Sequence, residues 1–379
     1  MPENSVSTQT GGASEKGATA TKSAGIETAS RLGFKAFMMK VLNGTAIGIV
    51  VGLIPNAIFG ELFRALASVS PVFGQLAAIV SGAQFVVPAL VGALVGVQFA
   101  MNGMEIAVLA ATTFIGSGVL TFSDEAWTIA GIGDLINTII VASLGTLALR
   151  WLHGKLGSVT IIVLPLIVVT AVGGIGWVTL PYSRAITGGI GRLIAHFTEL
   201  QPLLMCILLA IAFAIIIVSP ISTVAVALAV GIDGLASGAA NIGIAAATMT
   251  LCVGSIRQHN KSGVTLAVFL GSMKMFMPNW ITKPVMNIPL ILNAAIAGVT
   301  AWAFHLQGTA QSAGFGFSGL VGPIAAYKFL DQAPLVRLGI LFLAFFVITA
   351  AGALLIDFLF TRVLKLYTNE VFKFPIVEE

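Results

Sequence analysis

The chain is predicted to be an all-α polytopic membrane protein, and three observations carry that prediction. Roughly eight to ten apolar runs approach the length of about 20 residues that lets a helix cross the hydrocarbon. The composition is 57% hydrophobic and only 9% charged, with a mean hydropathy of +1.02, against about 25% charged residues in soluble domains. The charges fall mostly between the apolar runs. The runs are too long and continuous for barrel strands, so helices must satisfy the backbone in lipid.

The chain divides into a flexible cytoplasmic N-terminal tail (1–35), a membrane domain (36–360) and a short C-terminal tail (361–379). Met1 to Ser30 is rich in Ser, Thr, Gly and Ala and has no apolar h-region of a secretory signal. The first span runs from about Ala36 to Phe59, with Gly44, Gly48 and Gly52 spaced four apart as a small-residue face for close helix approach. The second covers about Val72 to Ala100, the third about Ile106 to Phe122, and the fourth about Trp127 to Leu149. The fifth, about Val159 to Leu180, is followed by Tyr182 to Gln201, whose mixed charges and apolar residues predict an interfacial helix or connecting arm. The sixth is about Pro202 to Val230, interrupted at Ser219-Pro220.

Gly231 to Gly254 is apolar on average yet holds five glycines, Asn241 and Asp233. Such a segment suits a re-entrant hairpin lining a protein-enclosed cavity better than a lipid-facing span. Spans over about Val264 to Thr282 and Val285 to Phe304 follow. Gln307 to Tyr327 is a second Gly-rich insert that propensity argues against as a plain helix. The last span is about Leu335 to Phe360. Basic residues from Lys16 to Lys40, with Arg150, Lys155, Arg257 and Lys261, place the N-terminus inside by the positive-inside rule.

Ionisable groups at bilayer depth are functional candidates because they are costly there. Asp134 falls inside the predicted fourth span and Lys274 inside the seventh, at depths that invite a pair. Such a pair is either a substrate or coupling site or a structural ion pair. Asp357, near a helix end, is expected to snorkel toward headgroups. Amides form a second set: Asn56, Gln84, Asn102, Asn137, Asn241, Asn279, Asn287 and Asn293. Uncharged hydrogen-bonding groups on broken helices suit a small polar solute, while the structural alternative for each is helix–helix glue. Asn279 and Asn287 flank Pro278 and Thr282-Lys-Pro284, where backbone groups are also freed. Cys206 and Cys252 lack metal-ligand spacing and read as small buried hydrophobes. No catalytic triad, zinc spacing or phosphate-binding loop is present. No basic run interleaved with aromatics points to nucleic acid. No cofactor is expected.

Several stretches resemble a known family. They are Asn43 to Asn56 (NGTAIGIVVGLIPN), Ser219-Pro-Ile-Ser-Thr223, Gly238-Ala-Ala-Asn-Ile-Gly243, Thr282-Lys-Pro284 and Ser312 to Pro323 (SAGFGFSGLVGP). Together they resemble the membrane, IIC-type component of the bacterial sugar phosphotransferase system, and more narrowly the stand-alone branch that includes perfringolysin-regulator-type membrane proteins. The resemblance implies about ten membrane helices, two re-entrant hairpins, a homodimer in the bacterial cell membrane and an enclosed solute site. It adds Ser318 to the expected pocket lining beside Asn241. The sugar-holding Gly-Ile-Thr-Glu-like motif of sugar-transporting relatives is not found, and no phosphoacceptor IIB domain is seen in the sequence. Phosphoryl transfer would require a separate cytosolic IIB protein.

The leading expectation is therefore a permease for a small polar solute, a sugar or related metabolite, working by alternating access. Its candidate substrate-binding residues are Asp134, Asn137, Asn241, Lys274, Asn279, Asn287 and Ser318. The alternative is a membrane regulator that senses a ligand without moving it.

Overall fold

The computed structural model describes residues 32–374 apart from 124 and 311, so most of the predicted N-terminal tail lies outside the described residues. The protein is all-α with one small hairpin. Among the described residues, seven helical runs are long and apolar enough to cross a membrane: Phe34–Asn56, Pro71–Gln98, Leu135–Leu152, Thr160–Thr198, Gly234–Arg257, Pro284–Ala303 and Pro334–Val363. Two shorter apolar helices, Gly103–Gly116 and Pro202–Val218, accompany them.

The first half is built from α1 (Phe34–Leu66), α2 (Pro71–Gly82), α3 (Val87–Gln98), α4 (Gly103–Gly116), α5 (Leu135–Leu152) and α6 (Thr160–Ile167). The glycine face of α1 packs as its spacing predicts. A Cβ on Gly44 or Gly48 would come within 2.6 Å of the backbone of Val95 or Val91 on α3. This close approach lets dispersion, rather than hydrophobic burial, hold the helices together. The core of this half gathers Val41, Ile49, Val91, Leu109, Val141 and Leu149. Lys40 and Arg150 both sit over the Phe99 ring, 5.6 and 5.5 Å from its centroid. The start of α1 and the end of α5 therefore share one face of the molecule, as their positive charge predicts.

The predicted third and fourth spans are both shortened. A hairpin occupies their junction: β1 (Leu120–Ser123) pairs antiparallel with β2 (Ala126–Ile129). Its β-branched and aromatic residues favour strand. Thr121 and Thr128 hydroxyls meet at 2.8 Å, and the rings of Phe122 and Trp127 lie 5.1 Å apart. Hydropathy alone read these residues as span because aromatic strands and apolar helices look alike in a short window.

The stretch from Tyr182 to Gln201, predicted as an interfacial helix or connecting arm, is helical to Thr198 and forms the second half of α7 (Gly173–Thr198), continuous with α6 through Val168–Val172. The remaining helices are α8 (Pro202–Val218), α9 (Thr223–Val230), α10 (Gly234–Arg257), α11 (Ser262–Phe269), α12 (Met277–Thr282), α13 (Asn287–Ala303), α14 (Val321–Phe329), α15 (Pro334–Phe342) and α16 (Thr349–Phe358). They form a second core around Leu209, Phe213, Ile244, Phe276, Leu290 and Phe345.

The hairpin expected over Gly231 to Gly254 is not formed, because α10 runs unbroken through it. It is also the most enclosed of the candidate spans, with 89% of its central window buried. Gly, Ala and Ser on all sides let neighbours close in around the whole helix. Gly243 abuts the backbone of α8 at Ala210, Gly238 the carbonyl of Leu306, and Gly254 the ring of Phe372. Its glycines thus serve packing, not chain reversal. The second insert, Gln307 to Tyr327, does break: a string of turns precedes a 3₁₀ segment, Ser318–Leu320, and then α14.

One further reading is corrected. Asp357 does not snorkel but is 5% exposed and lies 3.4 Å from Arg257 Nε. The last described residues, within the short C-terminal tail, pack against the body of the protein. Phe372 is buried, and the Asn260 side chain donates to its carbonyl (2.8 Å) and accepts from Phe374 N (3.0 Å). This places the C-terminal segment at the same end of the molecule as the Arg257 to Lys261 loop.

Candidate functional site

Three backbone breaks in the second half converge on one cavity. The first separates α8 from α9 at Ser219 to Ser222, where Pro220 cannot continue the helix. The second lies at Leu270 to Ser272, where Gly271 takes φ +125° before the 3₁₀ segment Met273–Phe276. The third is the turn series ending at Phe317, in which Gly316 takes φ +64°. The cavity, about 310 Å³, is closed on its other side by Ile49, Leu53 and Asn56 of α1, with Gln84, Ile132 and Leu135. It therefore lies between the two cores, at the lower end of the size of about 300–1,000 Å³ usual for small-molecule sites.

The breaks hold one another. Thr223 Oγ1 donates to the Gly314 carbonyl (2.8 Å). Lys274 Nζ donates to the carbonyls of Ser219 (2.5 Å) and Ile221 (2.8 Å), just past the end of α8. A cation there complements the negative end of the helix dipole. On α10, Asn241 Oδ1 accepts from Gly316 N (3.1 Å), and its Nδ2 reaches Ser312 Oγ at 3.4 Å. Ser237 Oγ donates to the Thr309 carbonyl (2.8 Å). The buried helix thus serves as a post to which the third break is tied.

The structure sorts the residues singled out from sequence. Lys274 and Ser318 line the cavity. Asn241 does not line it but fixes a segment that does. Asp134 is not within a span: it is the N-cap of α5, its carboxylate accepting from Asn137 N (2.8 Å). Gly131 and Gly133 at positive φ lead the chain into that cap. No Asp134–Lys274 pair forms, and no carboxylate of the described residues approaches within 4 Å of the Lys274 ammonium. Asp134 instead faces a separate cleft with Arg184 and Arg192.

Asn137 is tied into the protein by three side-chain hydrogen bonds. It donates to the carbonyls of Gly116 (2.6 Å) and Gly176 (2.8 Å) and accepts from Thr179 Oγ1 (2.7 Å). Asn279 donates to the carbonyls of Val371 (2.8 Å) and Lys373 (2.9 Å), pinning the C-terminal segment. Asn287 accepts from Trp280 Nε1 (2.8 Å) and donates to Pro284 O (3.1 Å). All three stand away from the cavity lining.

The cavity adds polar residues outside the chosen set: Asn56, Gln84, Ser222, Thr223 and Ser272. Asn56 and Gln84 belonged to the amide group read from sequence. The hydroxyls had a weaker signal, a polar residue within three positions of Pro220 or Gly271 at a helix break.

A family model described as "Phosphotransferase system, EIIC" matches residues 39–374. No curated protein and no solved structure matches the chain.

Proposed function

Because the chain belongs to the phosphotransferase system EIIC family, a family of sugar-transport membrane components, we propose that it is a permease whose solute site is the cavity between its two cores. The single observation that carries this reading is the meeting of three interrupted backbones there. Broken helices at depth are tolerated where they line an enclosed space, and they free backbone groups for a guest. Asn56, Gln84, Ser222, Ser272, Lys274 and Ser318 are the side chains that would hold it. Asn241 would act by positioning the third break.

Alternating access would then be a movement of one core against the other across the cavity. The interrupted segments α8–α9, α11–α12 and Gln307–Phe329 would enter and leave the membrane on the same side. The protein would work as a homodimer in the bacterial cell membrane with its N-terminus inside, and a separate cytosolic IIB protein would supply phosphate. The shared position of Lys40 and Arg150 supports that orientation.

Purified protein in liposomes, offered radiolabelled monosaccharides with and without the general phosphotransferase proteins and a cytosolic IIB partner, tests the proposal. Saturable uptake is expected. Saturable binding with no flux under either condition would replace the permease by a ligand-sensing regulator of the same fold.

A further inference from the structure

The charge of the cavity lining is one-sided. Among the described residues, Lys274 is the one charged side chain that lines it, and no carboxylate does. The ammonium is 7% exposed and is held by two carbonyls, which fix its position but carry no net charge. An ammonium has three donors, so this anchoring leaves one hydrogen uncommitted. The first turn of α9, Thr223 to Ala225, lines the same space and presents the positive end of its helix. Two further side chains add an independent observation. Ser272 (6% exposed) and Ser318 (8% exposed) both line the cavity, and neither hydroxyl has a hydrogen-bond partner among the described residues. Neither oxygen is sealed away from the cavity, so both hydroxyls are free to donate to an acceptor that enters it.

From this convergence we infer that the cavity selects an anionic solute, a small polyhydroxylated molecule bearing a carboxylate or phosphate, over its neutral counterpart. The inference rests on the cavity being the solute site. Lys274 would supply the charge, Ser272 and Ser318 would donate to the anionic oxygens, and Asn56 and Gln84 would reach the hydroxyls. In a low-dielectric enclosure a single unopposed charge discriminates strongly, because neither water nor salt screens it fully. A cation meets the same charge as repulsion.

The test needs no knowledge of the solute. In a Cys206→Ala, Cys252→Ala background, Ser318→Cys and, separately, Ser272→Cys place a thiol in the cavity. Each is reacted in proteoliposomes with a sulfonate-bearing and a trimethylammonium-bearing methanethiosulfonate, with rates normalised to a free small thiol. The sulfonate reagent is expected to be favoured by about tenfold or more, the scale of focusing in charged clefts. Adding Lys274→Met should bring the ratio near one, while Lys274→Arg should keep it. Equal rates, or a preference for the cation, with Lys274 intact would overturn the anion inference and leave the permease reading standing. Reaction of neither thiol with either reagent would show a closed space and overturn both.

Discussion

The two cores solve the same problem, packing helices where no water can rescue an unpaired amide, in opposite ways. In the first, α1, α3, α4 and α5 run without long breaks, glycines bring backbones into contact, and the buried Asn137 and Glu105 are tied to neighbouring elements. Asn137 commits both amide hydrogens and one acceptor site to α4 and α7. Glu105 closes a capping box with Asn102 and also meets His153 at 2.7 Å. In the second core, helices stop at Ser219, Leu270 and Phe304, and the connecting segments are bound to one another and to α10. There the hydroxyls of Ser272 and Ser318 remain open. The contrast teaches that a membrane protein can concentrate its backbone irregularity in one half, provided the other offers an uninterrupted wall. Met277, just after the Lys274 break, packs into the first core, so the wall and the irregular body are in direct contact beside the cavity.

Three substitutions would sharpen or break this comparison. The largest effect is expected from Gly48→Leu in the wall, where the new Cβ would sit 2.6 Å from Val91 N, a backbone atom that cannot step aside. A loss of about 3 kcal/mol or more is expected from such overpacking, read as a collapsed yield of monodisperse protein and a lowered thermal midpoint. Gly263→Leu, where the added Cβ meets nothing within 4 Å, should leave both unchanged. Equal tolerance at the two positions would remove the idea of a close-packed wall.

Asn137→Ala should come next. It removes three hydrogen bonds between α5 and its neighbours, leaving Thr179 Oγ1 only the carbonyls of Ile175 and Gly176 in its own helix, at a cost of about 2 kcal/mol in a membrane interior. Thermal unfolding should shift while solute affinity stays at the wild-type value. A variant with normal stability but lost affinity would return Asn137 to the binding set.

Asn241→Ala should show the reverse pattern at smaller size. Freed from Asn241 Oδ1, the turn at Gly316 loses its tie to α10, and solute affinity should weaken about tenfold, or about 1.4 kcal/mol. The thermal midpoint should move less than for Asn137→Ala. Titration calorimetry beside a melting curve separates the two. A fall in stability with unchanged affinity would make Asn241 simple helix glue.

Much of the wall was legible in the sequence. The four-residue spacing of Gly44, Gly48 and Gly52 states a helix face and its close neighbour without naming that neighbour. The positive clusters at Lys40 and Arg150 state a shared side. The broken character of Gln307 to Tyr327 was also readable from glycine content. Misreadings came where two physical causes leave one signature. Glycines spaced along α10 mean either chain reversal or all-round packing, and only the neighbours Ala210, Leu306 and Phe372 decide which. Asp134 reads as a buried charge in a hydropathy window and as an N-cap once Gly131 and Gly133 turn the chain. The paired breaks at Ser219 and Gly271 carried punctuation signals, but nothing in the sequence said that Lys274 would bridge them.

By itself the sequence determined that the chain is helical and lies in a membrane, because apolar run length and charge sparsity are local properties that lipid enforces on any fold. It also determined the family, through motifs spread across the membrane region. The tertiary structure alone decided which polar groups serve the cavity. An amide becomes glue or ligand-binding group according to whether its partners are already present. Those partners lie 21 to 42 residues away for Asn137 and 71 to 75 for Asn241, distances at which the order of residues along the chain says nothing about hydrogen bonds.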